Sequence, residues 1–285
     1  VTTQNINLGS DETITIKLNE NATGTLTIVV NGQTYTEDIT NGNIEKVISN
    51  LPAGTYTAKV TYSGDLRYSQ LTKSSKFTVS KLDPNMNVTA NNINYGQNAV
   101  FNVVLPSDAT GTVSVTVGTK SGSASVSKGK ATISISGLTK GDYSYTVTYA
   151  GNTKYDSDTK TGTISVAKTK TTFTVAPVSD INVDDVATFV ISGLPSGANG
   201  IVTVVVGDAS NSTQVTNGGA SVGIKMLAGG TYTAEISYSN DDNYMADSKN
   251  VQFNVNKITP SMSVSVSNIK VGADAVFKVT GLPSD

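Results

Sequence analysis

The chain has 285 residues, with 20 Lys and Arg against 22 Asp and Glu, a formal net charge of −2 and only 15% charged side chains. A surface that neutralises phosphates needs a basic face, so a nucleic-acid partner is excluded. The chain has no histidine and no cysteine, which excludes imidazole bases, His-based nucleophile triads, thiolates and His/Cys metal ligands together, and no enzymatic activity is expected.

Residues 1–80 read as a first repeat with an incomplete opening strand, because Val1 aligns with Val88 of the next copy. Its most distinctive stretch is GTYTAKVTYSGDLRY, Gly54 to Tyr68. Tyr56, Ala58, Val60 and Tyr62 alternate there with Thr57, Lys59 and Thr61, the period-2 pattern of a half-buried strand. Phe77 and Val79 close the unit.

Residues 81–167 form the most complete copy. A strand at Met86–Ala90 leads to a turn at Asn94-Tyr95-Gly96, then a strand at Ala99–Leu105 with Phe101 and Val103 inward. Val113, Val115 and Val117 share one face of the next. A polar hairpin near Ser121–Lys128, with Gly129 in its turn, precedes a strand holding Ala131, Ile133 and Ile135. The tyrosine strand recurs as GDYSYTVTYAGNTKY from Gly141, and Ile164 and Val166 finish the unit. About seven short strands with regular turn signals predict an all-β antiparallel sandwich.

Residues 168–256 repeat this order, with GTYTAEISYSNDDNY from Gly230 and Phe253 and Val255 closing; residues 257–285 start a fourth copy, truncated before its third strand. The leading tyrosines Tyr56, Tyr143 and Tyr232 recur at intervals of 87 and 89 residues. That period is too long for a solenoid and suits a small sandwich. The joints at Lys81, Lys168 and Lys257 span few residues and hold no Gly/Ser run, so a stiff, rod-like row is expected. The two strands of 257–285 cannot enclose a core, and this part is expected to be mobile or to add to a neighbour's sheet edge.

The frame Leu51-x-x-Gly54-x-Tyr56, followed by Val60-x-Tyr62-x-Gly64-Asp65-x-x-Tyr68, resembles the bacterial Ig-like domain, group 3, found in tandem in large bacterial and archaeal surface proteins. Gly96 with Phe101, Gly272 with Phe277, Gly-Thr-Val at 111–113, and Leu-Pro at 105–106, 194–195 and 282–283 belong to the same likeness. Asp184 and Asn240 replace family glycines in the third repeat, making it the most divergent. The resemblance implies an immunoglobulin-like sandwich and a stalk or adhesin-like role outside the cell, at its surface. It implies no catalytic residue.

Candidate site residues follow from position and chemistry. Tyr56, Tyr143 and Tyr232 occupy the place of a tyrosine corner, whose hydroxyl bonds backbone a few residues upstream. Asp208, Asp241 and Asp242 are candidate calcium ligands in the third repeat, set against the plainer reading of Asn240-Asp241 as a tight turn. No other cofactor is expected. Asn21, Asn87 and Asn211 begin N-glycosylation sequons. Lys81, Lys168 and Lys257 recur as the lysines a Lys–Asn isopeptide bond would need, but their place at the joints favours solvated lysines. No apolar run approaches the roughly 18 residues of a membrane span.

The expected function is a non-enzymatic spacer that projects a distal binding region, its immediate partners being neighbouring repeats. One alternative has the repeats themselves bind a glycan or protein ligand, through loops such as 208–219 or through Tyr68, Tyr155 and Tyr244. Another is an accessory region of a secreted polysaccharide-degrading enzyme.

Overall fold

The computed structural model describes residues 1–225 and 227–282, and every regular element among them is a strand. Repeat 1 contains β1 (Ile6–Asn7), β2 (Glu12–Lys17), β3 (Thr25–Val30), β4 (Gln33–Asp38), β5 (Asn43–Ile48), β6 (Gly54–Tyr62) and β7 (Leu71–Ser80). Repeat 2 contains β8 (Asn87–Ala90), β9 (Ile93–Asn94), β10 (Ala99–Val104), β11 (Thr112–Val117), β12 (Lys120–Ser125), β13 (Lys130–Ile135), β14 (Gly141–Tyr149) and β15 (Asp158–Ala167). Repeat 3 contains β16 (Thr174–Val175), β17 (Ile181–Asn182), β18 (Ala187–Ser192), β19 (Ile201–Val206), β20 (Ala209–Gln214), β21 (Ala220–Ile224), β22 (Gly230–Tyr238) and β23 (Asp247–Asn256).

Each repeat is a pair of sheets. The larger has the order β9-β15-β14-β11-β12 in repeat 2, with β1-β7-β6-β3-β4 and β17-β23-β22-β19-β20 as its counterparts. The smaller is β8-β10-β13, matched by β16-β18-β21 and by β2-β5. These are immunoglobulin-like sandwiches in tandem. Alternation along the strands dictates the layering: Val113, Val115 and Val117 point inward and are fully buried, while Thr112, Ser114 and Thr116 face out. Ile14, Leu26, Ile28, Val60 and Phe77 fill the core of repeat 1, and Phe189, Val202, Val204, Ile236 and Phe253 that of repeat 3. At about 1.5–3 kcal/mol per fully buried side chain, such packing stabilises each unit without a disulfide.

The structure departs from the sequence reading in two places. The opening strand is split: β8 pairs with β10, then the chain crosses to the other sheet and β9 runs alongside β15, as β1 runs parallel to β7 and β17 to β23. The crossing residue is Asn5, Asn92 or Asp180, and its side-chain oxygen accepts the backbone amide of Thr78, Ser165 or Asn254 on the last strand. This covers an edge that would otherwise stay open. Second, the polar stretch at Lys120–Ser125 is a full strand paired with β11, the hairpin turn lying ahead of it at Gly118.

Repeat 2 carries a half-buried substitution of bulk beside its core. Tyr145 stands where the other repeats have Ala58 and Ala234, and packs edge-on against Phe101 at 5.0 Å between centroids. The residues paired with those alanines are Ser75 and Val251. Repeat 2 has Gly162 at that place, and a Cβ there would collide with the Tyr145 ring, whose Cε1 would be 2.9 Å away.

Compactness divides the chain into one unit with repeat 1 and nearly all of repeat 2, and another with repeat 3 and the residues after it, which takes Asn94–Gly96 with it. Within the second unit, Thr169 Oγ1 donates to the Tyr95 carbonyl at 2.5 Å, and the Tyr95 ring meets Tyr244 edge-on at 5.4 Å. After repeat 3, β24 (Ser263–Val266) and β25 (Phe277–Thr280) pair with each other, leaving Val264, Val266, Phe277 and Val279 exposed. Pro283 of the last Leu-Pro pair lies outside the described residues.

Candidate functional site

The recurrent polar constellation sits at one hairpin in each repeat, between β6 and β7, β14 and β15, and β22 and β23. Gly64 and Gly151 take positive φ there, as a tight turn requires. The next residue is Asp65, Asn152 or Asp241, and its side chain staples the loop. Asp65 Oδ1 accepts the amides of Arg67 and Tyr68 at 2.7 and 2.6 Å, while Oδ2 accepts the amide of Thr23 at 2.8 Å. Asn152 Oδ1 accepts from Lys154 and Tyr155, and its Nδ2 donates to Thr110 Oγ1. Asp241 accepts the amides of Asn243 and Tyr244 on Oδ1, and the Asn199 amide with the Tyr238 hydroxyl on Oδ2.

These bonds set the local electrostatics. The Thr23 amide above all, with those of Tyr68 and Arg67, holds the Asp65 carboxyl far below the ordinary carboxylate range, against the opposing effect of burial. Burial, then the neighbouring Asp241, pushes the Tyr238 hydroxyl up to about 12.

The three calcium candidates do not converge. Asp208 is in the turn after β19, at the opposite end of that strand from Asp241, and Asp242 is exposed beside Asp241. Both Asp241 oxygens are already engaged by protein donors, which gives this carboxylate a turn-forming role. Among the described residues, no group of three or more Asp, Glu, His or Cys is placed to hold a metal ion.

The Tyr56, Tyr143 and Tyr232 hydroxyls donate to the carbonyls of Pro52, Thr139 and Ala228, each four residues upstream, at 2.7, 3.0 and 3.0 Å. Tyr68, Tyr155 and Tyr244 do not form a ladder of exposed rings. Tyr155 is 5% exposed, with its hydroxyl on Asp108 Oδ1 at 2.7 Å, and the other two are half-buried. Asn21 and Asn87 are exposed; the Asn211 Nδ2, the atom a glycan would join, donates to the Gly223 carbonyl at 2.9 Å. Lys81 and Lys257 are exposed at the joints, and Lys168 donates to the Asp241 carbonyl.

Sequence reasoning missed the partners of the hairpin residue, Thr23, Thr110 and Asn199, because they lie 42 residues upstream. Their signal was present as a polar residue at one place before the third strand of every repeat.

With two sheets, a tyrosine strand and a stapled hairpin in each repeat, the comparison that decides kinship is with known domain families. Residues 86–167 match the bacterial Ig-like domain (group 3). Repeats 1 and 3 share the order of the larger sheet of that matched Ig-like repeat. No curated protein matches the chain. Among solved structures, a tetra-tandem repeat in the extending region of a large adhesion protein is similar at 17% identity and a TM-score of 0.39, covering 98% of this chain and 88% of that one. The Clostridium thermocellum CbhA fibronectin(III)-like modules are similar at 13% identity and a TM-score of 0.28, covering 60% and 94%. At these scores neither likeness bears on function.

Proposed function

We propose that this chain is a non-enzymatic spacer of an extracellular, adhesin-like surface protein, holding a distal binding region away from the cell. The observation that carries this reading is how the incoming segment is fastened to the repeat it opens. Leu82 forms a bridge with Tyr155, giving its amide to the Lys154 carbonyl and accepting from the Asp156 amide. Thr169 does the same with Tyr244, between Asn243 and Met245. A segment tied by ladder hydrogen bonds to the repeat it opens is held in a way that a Gly/Ser linker is not. The Ig-like match over residues 86–167 and the absence of histidine and cysteine from the sequence support a mechanical role over a chemical one.

The test is small-angle scattering on the intact chain, with rod-like scattering at intermediate angles expected. Scattering of a compact globule, or of domains that tumble independently, overturns the proposal. A glycan array probed with the chain separates the spacer from a ligand-binding module, and specific, saturable binding would favour the latter.

A further inference from the structure

Each larger sheet has one edge covered and one bare. The short strands β1, β9 and β17 cover the side of the last strand, while β4, β12 and β20 end the order with no strand beyond them among the described residues. A bare edge presents a row of backbone donors and acceptors that can template another strand.

Two of the three bare edges carry guards. On β4, Glu37 pairs with Lys46 at 2.6 Å and Asp38 ends the strand. On β20, the Asn211 and Gln214 amide groups fold back onto the Gly223 and Asn199 carbonyls at 2.9 and 3.3 Å. The edge of β12 differs. Past Lys120 it reads Ser121-Gly122-Ser123-Ala124-Ser125, with no charge and no side chain longer than a hydroxymethyl group. The two-residue turn at Gly118-Thr119 makes Val117 and Lys120 a hydrogen-bonded pair, so Gly122 and Ala124 also bond to β11. The amides and carbonyls of Ser121, Ser123 and Ser125 therefore point away from β11, and all three residues are exposed.

The sequence of this edge is its own complement. About an axis through Ser123, an antiparallel copy sets Ser123 against Ser123, Ser121 against Ser125 and Gly122 against Ala124, and it places Lys120 opposite Val126 rather than another lysine. No like charges meet. Serine hydroxyls would face one another on the outer surface as Thr148 and Thr159 do, 3.4 Å apart. Each serine pair exchanges two backbone bonds, about six in all. We propose that β12 is a homotypic contact, at which a second copy of this chain adds its own β12 antiparallel and extends the larger sheet of repeat 2 across a two-fold axis.

The paired repeats point in opposite directions. That suits chains reaching one another from facing surfaces rather than neighbours on one surface, a consequence which alone rests on the spacer reading.

The chain has no cysteine, so one introduced thiol reports a single contact. On the axis, Ser123 meets itself at a Cα separation of about 5.5 Å, inside the range a disulfide spans. Under mild oxidation the full chain with Ser123→Cys should form a covalent dimer about tenfold faster than chains with Thr36→Cys or Ser212→Cys, which take the same place on β4 and β20. Adding Ser121→Pro removes an outward amide that β11 does not use, and should return the rate to that of the two controls. In the unaltered chain, the amide resonances of Ser121, Ser123 and Ser125 should shift with concentration while those of Ser210 and Ser212 stay fixed. Equal crosslinking at the three edges, or none at Ser123, overturns the proposal, as does a dimer that Ser121→Pro leaves unchanged or a set of β12 resonances that concentration does not move. The scattering test of the spacer is made at a dilution where no dimer forms, so either reading can fail alone.

Discussion

The Gln4 amide donates to Glu12 Oε1 at 2.9 Å, while Glu12 Oε2, buried at the start of β2, has no hydrogen-bond partner among the described residues. Glu12 pairs with Ile48 in the register that sets Ala99 against Ile135 and Ala187 against Ile224, so repeat 1 has a carboxyl at a core place that the others fill with alanine. Burial raises its pKa, with the Gln4 amide opposing. A raised folded-state pKa stabilises repeat 1 below the unfolded value of about 4.3 and loses that contribution as pH rises through the folded value. Denaturant titrations at pH 5 and 7.5, followed at Ile28 and Val115, should show repeat 1 weakening toward neutral pH while repeat 2 does not. Glu12→Ala should remove the difference.

Asp65 has the opposite sign. Its folded pKa is depressed, so its contribution is present above the unfolded value near 3.9 and is lost as pH falls through that range. Asp65→Asn copies Asn152 and keeps an acceptor for the Arg67 and Tyr68 amides, but turns an amide group toward the Thr23 amide. Acid titration of the Tyr68 amide signal should lose its carboxylate transition in this variant, and hydrogen exchange at Thr23 should speed up.

Tyr143→Phe removes a hydroxyl that donates to the Thr139 carbonyl and leaves the ring in place. The expected cost is about 1 kcal/mol in repeat 2 by urea denaturation. A change near zero would show that the hydrogen bond contributes nothing net over its exchange with water.

Two glycines separate backbone strain from crowding. Gly96 has φ +86° with open space where a Cβ would stand, and Gly129 has φ +71° with the Pro106 carbonyl oxygen 2.5 Å from that point. Gly96→Ala should cost about 1–2 kcal/mol from the left-handed conformation alone. Gly129→Ala should cost clearly more, because backbone must also move. Equal effects in thermal melts would rule out the crowding part.

Much of the sandwich was legible because a strand with one wet face writes its geometry as a period of two. Tyr56, Ala58, Val60 and Tyr62 showed it, as did the three valines of β11. The split opening strand was not read, because β9 is two residues long, too short for any period to register. Its signal was the tripeptide Asn5-Ile6-Asn7, repeated as Asn92-Ile93-Asn94 and Asp180-Ile181-Asn182. The hairpin staple was half legible. Gly64-Asp65 announced a turn, but the reach of Asp65 to Thr23 depends on a fold that sequence spacing does not display. Glu12 follows the exposed Asp11 in a polar stretch, and only the register against Ile48 places it inside.

The Tyr145–Gly162 pair also bears on how tandem copies avoid one another during folding. Neighbours of one fold on one polypeptide risk trading strands, and the last strand, the final one synthesised, is the natural one to trade. Were β7 or β23 to slot into the place of β15, Ser75 or Val251 would bring a Cβ into the space of the Tyr145 ring, which would have to turn aside. The small residue and the large ring of the middle copy thus fit each other better than either fits a closing strand from the repeats on either side.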